Sequence, residues 1–219
     1  MFDEIFAVSS LEKVFSDTKP MPYSGRLSML RKDRLSFQAA FRIWGGQPTS
    51  HWGAWVRAEV ESPLKKWVRL YSVKEMPSTN PASDACDGNY LRTAPGLYPD
   101  LLEPVTDGRV RIMLGRWNAL WVEISSDEET PAGEFPVKVT LTFDEGETSR
   151  VLTAETTVEV IPAVLPDQEL IRTEWFHGDC VADYYHVEVF SEEHWELLRK
   201  QVACAAEYGI NMLLTPVFT

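Results

Sequence analysis

Between residues 135 and 143 the chain reads Phe-Pro-Val-Lys-Val-Thr-Leu-Thr-Phe, a strict alternation of apolar and polar residues. A period of two puts every apolar side chain on one face of an extended strand, so such a run demands a buried sheet face and a wet one. The pattern recurs. Leu35, Phe37, Ala39, Phe41 and Ile43 alternate with Ser36, Gln38 and Arg42; Val56, Ala58 and Val60 alternate with Arg57 and Glu59. Leu120, Val122 and Ile124 follow, and Leu152, Ala154, Val158 and Val160 close the series. Turn residues punctuate the runs, Pro131-Ala-Gly133 before one strand and Asp144-Glu-Gly146 after it. Repeated half-buried strands with no helical pattern between them predict an antiparallel two-sheet sandwich of immunoglobulin-like type over residues 1–165.

One stretch breaks this rhythm. Residues 76–107 are rich in Pro, Ser, Asp and Asn, and read as a long loop that Tyr90, Leu97, Tyr98, Leu101 and Leu102 pack down as a wrap. Val160–Pro166, with Pro162 and Pro166 four residues apart, reads as a stiff linker ending the sandwich.

The period changes beyond it. Leu170–His177 is β-rich, and Ser191 is a good N-cap with Glu192 and Glu193 in the first turn, where the helix dipole favours carboxylates. Trp195, Leu198, Val202 and Ala205/Ala206 then recur at helical spacing, with Cys204 as a small buried residue among them. Gly209 supplies a left-handed stop, and Ile210–Leu214 is an apolar run of strand length. Residues 166–219 therefore predict one strand–helix–strand unit, the repeat of a parallel sheet or (β/α)8 barrel. A whole barrel takes roughly 250 residues, so the expectation is a mainly β chain that carries only the start of a barrel. Its uncovered strand edge and helix face predict self-association.

Charge narrows the partners. The net charge of −12 disfavours nucleic acid and anionic membranes and leaves neutral ligands such as sugars. No run approaches transmembrane length, and the N-terminus MFDEIFAVSS shows no secretion signal, so a bacterial cytoplasmic location is expected. Three cysteines, Cys86, Cys180 and Cys204, make no disulfide framework. No cofactor is expected.

Chemistry gathers in one place, the segment directly after the first parallel strand. It holds His177, Asp179, Cys180, Asp183, Tyr184, Tyr185, His186 and Glu188. Loops at the carboxyl ends of parallel strands are where such folds bind ligands. As a metal site, His177, Asp179, His186 and Cys180 match no strong zinc spacing and mix hard with soft ligands. As a nucleophile, Cys180 lacks a visible oxyanion device. The remaining functional reading is a sugar-contacting loop: His177 and Asp179 bond hydroxyls, and Tyr184 and Tyr185 give an apolar wall. Against it stands a structural one, in which His177 and Asp179 cap the strand end and the tyrosines pack on the helix. The acidic pairs Asp3-Glu4, Asp127-Glu128 and Asp144-Glu145 all fall in the sandwich, unlike the paired carboxylates of a glycosidase. The tryptophans Trp44, Trp52, Trp55 and Trp67 are expected mostly in the core, although exposed ones would suit the alternative function, a free-standing carbohydrate-binding or interaction module.

Several runs together resemble glycoside hydrolase family 123 and its relatives. They are Arg34–Arg42, Leu97–Leu102, Trp121 followed by Pro131-Ala-Gly133, and most specifically Thr173-Glu-Trp-Phe-His-Gly-Asp-Cys180, Tyr184-Tyr185 and Tyr208-Gly-Ile-Asn211. The resemblance implies a β-N-acetylgalactosaminidase-like activity with substrate assistance. The sugar's acetamido oxygen attacks the anomeric carbon, an Asp orients it, and a neighbouring Glu is the general acid. It also implies that this Asp-Glu pair lies on a later barrel strand, so no catalytic residue falls within these residues and the segment is expected to be inactive by itself.

Overall fold

The computed structural model describes residues 2–45, 53–83, 85 and 87–216; Trp52 and Cys86 lie outside them. The chain divides into two compact units, Met1–Leu165 and Pro166–Thr219. It is mainly β, and among the described residues no helix is long and apolar enough to cross a membrane.

The described residues of the first unit form ten strands: β1 (Glu4–Ser9), β2 (Leu27–Arg31), β3 (Arg34–Arg42), β4 (Ala54–Glu61), β5 (Val68–Ser78), β6 (Gly96–Pro104), β7 (Arg109–Ile112), β8 (Asn118–Ser125), β9 (Gly133–Glu145) and β10 (Thr148–Val164). They form two five-stranded sheets ordered β1-β3-β8-β5-β6 and β2-β10-β9-β4-β7. Pairing is antiparallel except for β2 against β10. Phe37, Phe41, Leu120, Val122 and Ile124 of the first sheet share one buried cluster with Val56, Val139, Leu141, Phe143 and Val158 of the second. That shared core sets the sheets face to face. It is built by the alternation read from the sequence, most cleanly in β4, where buried and exposed residues follow each other without exception.

A second, smaller cluster lies behind β3, formed by Val8, Val14, Ala40, Trp117 and Ala119. Here the segment after β1 folds over the sheet's other face. Gln38, which alternation assigns to solvent, is 3 % exposed. Its amide donates to the carbonyls of Ser9 (3.0 Å) and Glu12 (2.7 Å), so its burial leaves no donor stranded.

Three sequence expectations need correction. Residues 76–107 are not a structureless wrap: β5 runs to Ser78 and β6 fills Gly96–Pro104, paired as a hairpin. Pro99 and Pro104 hid the strand, but β6 is a sheet edge, where a missing N–H costs no ladder bond. Val160–Val164 is likewise strand rather than linker. Pro162 sits where the β2 register shifts between Ile161 and Val164, a bulge that absorbs the absent donor. Trp117 is buried and Trp67 packs at the edge of the main cluster, but the tryptophans are not mostly interior. Trp55 is half-exposed under Arg109, and Trp67 reaches out to give its Nε1–H to Asp127 at 2.7 Å. Phe and aliphatic side chains fill the interior instead.

What remains of the long connection, residues 79–95, is tied back by Arg92. Its guanidinium lies over the Phe15 ring, 3.6 Å from the centroid, and bonds both carboxylate oxygens of Asp17. Those hydrogen bonds hold the Asp17 carboxyl down at about 2. A depressed carboxylate contributes stability fully above its unfolded value near 3.8 and loses it as pH falls through about 2. The pair is solvent-exposed, so screening limits its worth to about 1 kcal/mol or less. Hydrogen exchange around Arg92 should therefore be flat above pH 4 and accelerate on acidification toward pH 2, relative to the intrinsic rate. In Asp17→Asn that acid step should vanish.

The second unit runs β11 (Thr173–Trp175), α1 (Gly178–Tyr185), α2 (Glu192–Glu207) and β12 (Met212–Leu214). The strands pair in parallel, Thr173 with Met212 through Trp175 with Leu214. Both are shorter than the apolar runs that suggested them. Two helices, not one, connect them. Ser191 caps α2 by accepting from the His194 N–H, and Gly209 ends it at φ +80°. Asn211 locks the strand entrance, accepting from Arg172 N–H at 2.8 Å and donating to Leu170 O at 2.9 Å. The Arg172 guanidinium meets the Tyr208 carbonyl at 3.0 Å, placing a cation at the negative end of α2. Cys204 is exposed, not buried. The apolar helix face, expected to lack a cover, is open at Trp195 and Val202.

Candidate functional site

The segment after β11 is α1 rather than a loop. Sequence hides it, because Gly178, Asp179, Cys180 and Tyr184 are all indifferent or poor helix formers. Packing decides the matter. Ala182 is buried between the helices, and a Cβ on Gly178 would sit 3.4 Å from Leu198, so glycine permits α1 to start hard against α2.

His177 is the N-cap residue of α1, extended at φ −101°, yet its side chain makes no capping bond. Its ring lies near-parallel to Trp175, with centroids 6.4 Å apart, and stays exposed. Asp179 stands in the first turn, where the positive end of the helix favours its charge. One of its oxygens, Oδ1, is buried with no protein hydrogen bond. Neither residue therefore shows the strand-end capping geometry. Tyr184 and Tyr185 contact each other edge to face at 5.0 Å and are both exposed. Neither is buried against α2, the position that alternative gives them.

The four candidates do not converge within α1. Five residues separate Asp179 from Tyr184, which in a helix is about 7.5 Å along the axis and well over 90° around it. His177 and Asp179 mark the start of the helix, and the tyrosines mark its end. Among the described residues no group of three or more His, Cys, Asp or Glu side chains gathers at metal-binding geometry.

The acidic pairs in the sandwich are structural in their contacts. Asp3 pairs with Arg150 at 2.6 Å, Asp127 accepts from Trp67, and Glu145 pairs with Arg150 at 2.9 Å.

One residue at the site was missed. His194, 1 % exposed, accepts the Phe190 N–H at Nδ1 (2.9 Å), which fixes Nε2 as the protonated nitrogen, donating to the Gly178 carbonyl at 2.8 Å. A single imidazole thus clamps the start of α1 to the entry of α2. The available signal was its position three residues after the Ser191 cap, where a capping box would carry Glu or Gln.

Comparison with known proteins yields a family likeness and a fold likeness. Residues 175–219 match the family model for the glycoside hydrolase 123 catalytic domain. The whole chain is similar in structure to a family 123 glycoside hydrolase from Clostridium perfringens, described for glycolipid glycan hydrolysis. The TM-score is 0.69 at 16 % identity, covering 95 % of this chain and 37 % of that one. The fold is shared at that likeness, and the chain spans little over a third of the relative's length. Further structures are much less alike. Against AggA, the major subunit of aggregative adherence fimbriae type I from Escherichia coli, the TM-score is 0.29 at 14 % identity, over 73 % of this chain and 94 % of that one. No curated protein matches the chain.

Proposed function

We propose that this chain is the N-terminal portion of a glycosidase of the β-N-acetylhexosaminidase type. In this reading residues 1–165 are an immunoglobulin-like sandwich, and residues 166–219 open a (β/α)8 barrel. The observation that carries it is the second unit. Two parallel strands are joined through helices, the arrangement a barrel repeats. The same stretch, from Trp175 onward, matches a family model named for a glycoside hydrolase catalytic domain.

His177 and Asp179 then stand at the carboxyl end of the first barrel strand, the face on which barrels place their sites. Their role is substrate contact, not proton transfer. Asp179 holds one buried carboxylate oxygen without a donor, a group that a sugar hydroxyl or acetamido N–H would satisfy. His177 offers an exposed ring nitrogen beside the Trp175 face. The tyrosines, at the far end of α1, line a more distant part of the same rim. Two strands do not close a barrel, so cleavage requires the acid and its helper from strands beyond β12.

The test is Asp179→Ala in a polypeptide that completes the barrel, assayed on an aryl N-acetylgalactosaminide. Loss of one buried hydrogen bond to the ligand should cost about 1–3 kcal/mol, a drop of about 5- to 150-fold in kcat/KM. Melting should change little. A sharp fall in Tm with intact kinetics would make Asp179 a structural residue and remove it from the site.

A further inference from the structure

Two left-handed residues that are not glycine lie in the six-residue link between α1 and α2: His186 at φ +56° and Phe190 at φ +65°. The first is an ordinary helix C-cap, its N–H returning to Ala182 and Asp183. The second is different. A bulky aromatic residue is a true outlier in that region, because its Cβ crowds the backbone, and Asn or Gly would sit there without strain.

The strain is held in place by the clamp already described. Phe190 N–H donates to His194 Nδ1, and the opposite nitrogen of the same imidazole reaches Gly178 O. The backbone of Phe190 therefore lies within one imidazole's width of the residue between His177 and Asp179. The constrained side chain gains no burial in return, for the Phe190 ring is 71 % exposed. It lies near-parallel to Trp195, with centroids 5.9 Å apart at 28°, and Trp195 is itself half-exposed. Topology sets this pair on the candidate rim. Because β11 and β12 are parallel, α2 must run back against them, so its N-terminus and the preceding link lie at the strands' carboxyl end. Strain kept at such a position points to use rather than to packing.

We infer that Phe190, backed by Trp195, is a stacking platform for the apolar face of a pyranose ring in the site that contains His177 and Asp179. The inference rests on the carbohydrate reading above and adds to it a residue that no motif marks. A flat aromatic surface on the same rim as a carboxylate and an imidazole suits a sugar, which has C–H faces and a hydroxyl edge. It suits a phosphate or a metal ion poorly, since neither uses an aromatic face.

The experiment compares the 219-residue chain with Phe190→Asn, Phe190→Tyr and Asp179→Ala, by thermal melting and by ligand-observed NMR titration with N-acetylgalactosamine. Asn tolerates the left-handed backbone and removes the ring. It should raise Tm by about 2 °C through relief of strain and weaken sugar binding by about tenfold. Tyr keeps the ring and should retain both wild-type values. A lower Tm in Phe190→Asn overturns the inference, because the ring would then be serving the fold. Unchanged sugar binding in Phe190→Asn, with binding lost in Asp179→Ala, also overturns it and leaves the carbohydrate reading standing. No saturable binding to the wild-type chain overturns both.

Discussion

Phe37→Ala should cost the sandwich about 3–5 kcal/mol of stability. Phe37 is 2 % exposed and sits mid-strand in β3, opposite Ser9 of β1 and Val122 of β8. It belongs to the cluster that joins both sheets. Truncation removes most of an aromatic side chain from water-free packing and leaves a void that the neighbouring strands cannot close without breaking register. Domains of this size hold only about 5–15 kcal/mol in total, so the loss is a large share. Urea unfolding followed by tryptophan fluorescence checks it: the midpoint should fall while the slope stays unchanged. Phe37→Leu, which keeps much of the volume, should lose less than half as much. Equal losses for the two would mean that the ring makes a specific contact beyond its bulk.

The sandwich was legible where one face is wet. In β4, β9 and the middle of β10 an outward residue follows each core residue, so period two survives into the sequence. The signal fades in the second half of β3, where Gln38 and Ala40 are buried on the reverse face by the segment after β1. A strand covered on both sides carries no alternation to read. β6 failed for the opposite reason: it is an edge strand whose prolines and acids look like a loop, and only its partner β5 reveals it. In the second unit the caps were local chemistry, so Ser191 and Gly209 could be read directly. α1 was not. Its residues favour no helix by themselves, and it is supported by close packing of Gly178 against Leu198, a contact between positions twenty residues apart. Likewise the sequence grouped His177, Asp179, Tyr184 and Tyr185 by proximity along the chain. A helix then spread them over its length.

Substituting His194 should cost about 3 kcal/mol, nearly all of it in the second unit. The side chain is 1 % exposed and both ring nitrogens are engaged, Nδ1 by Phe190 N–H and Nε2 by Gly178 O. His194→Phe keeps the ring volume and removes both partners, leaving one donor and one acceptor buried and unpaired. Each such group costs about 1–3 kcal/mol, whereas the change in ring volume is small. His194→Ala adds a cavity to that penalty and should be worse still. The effect should be local, because the two bonds join α1 to α2 and touch nothing in the sandwich. Hydrogen exchange separates the two units: amides of α1 and the α2 entry should lose protection, with β3, β8 and β9 unchanged. A global loss would mean that the units unfold as one. Wild-type protection in His194→Phe would show that apolar packing, not the paired hydrogen bonds, holds the two helices together.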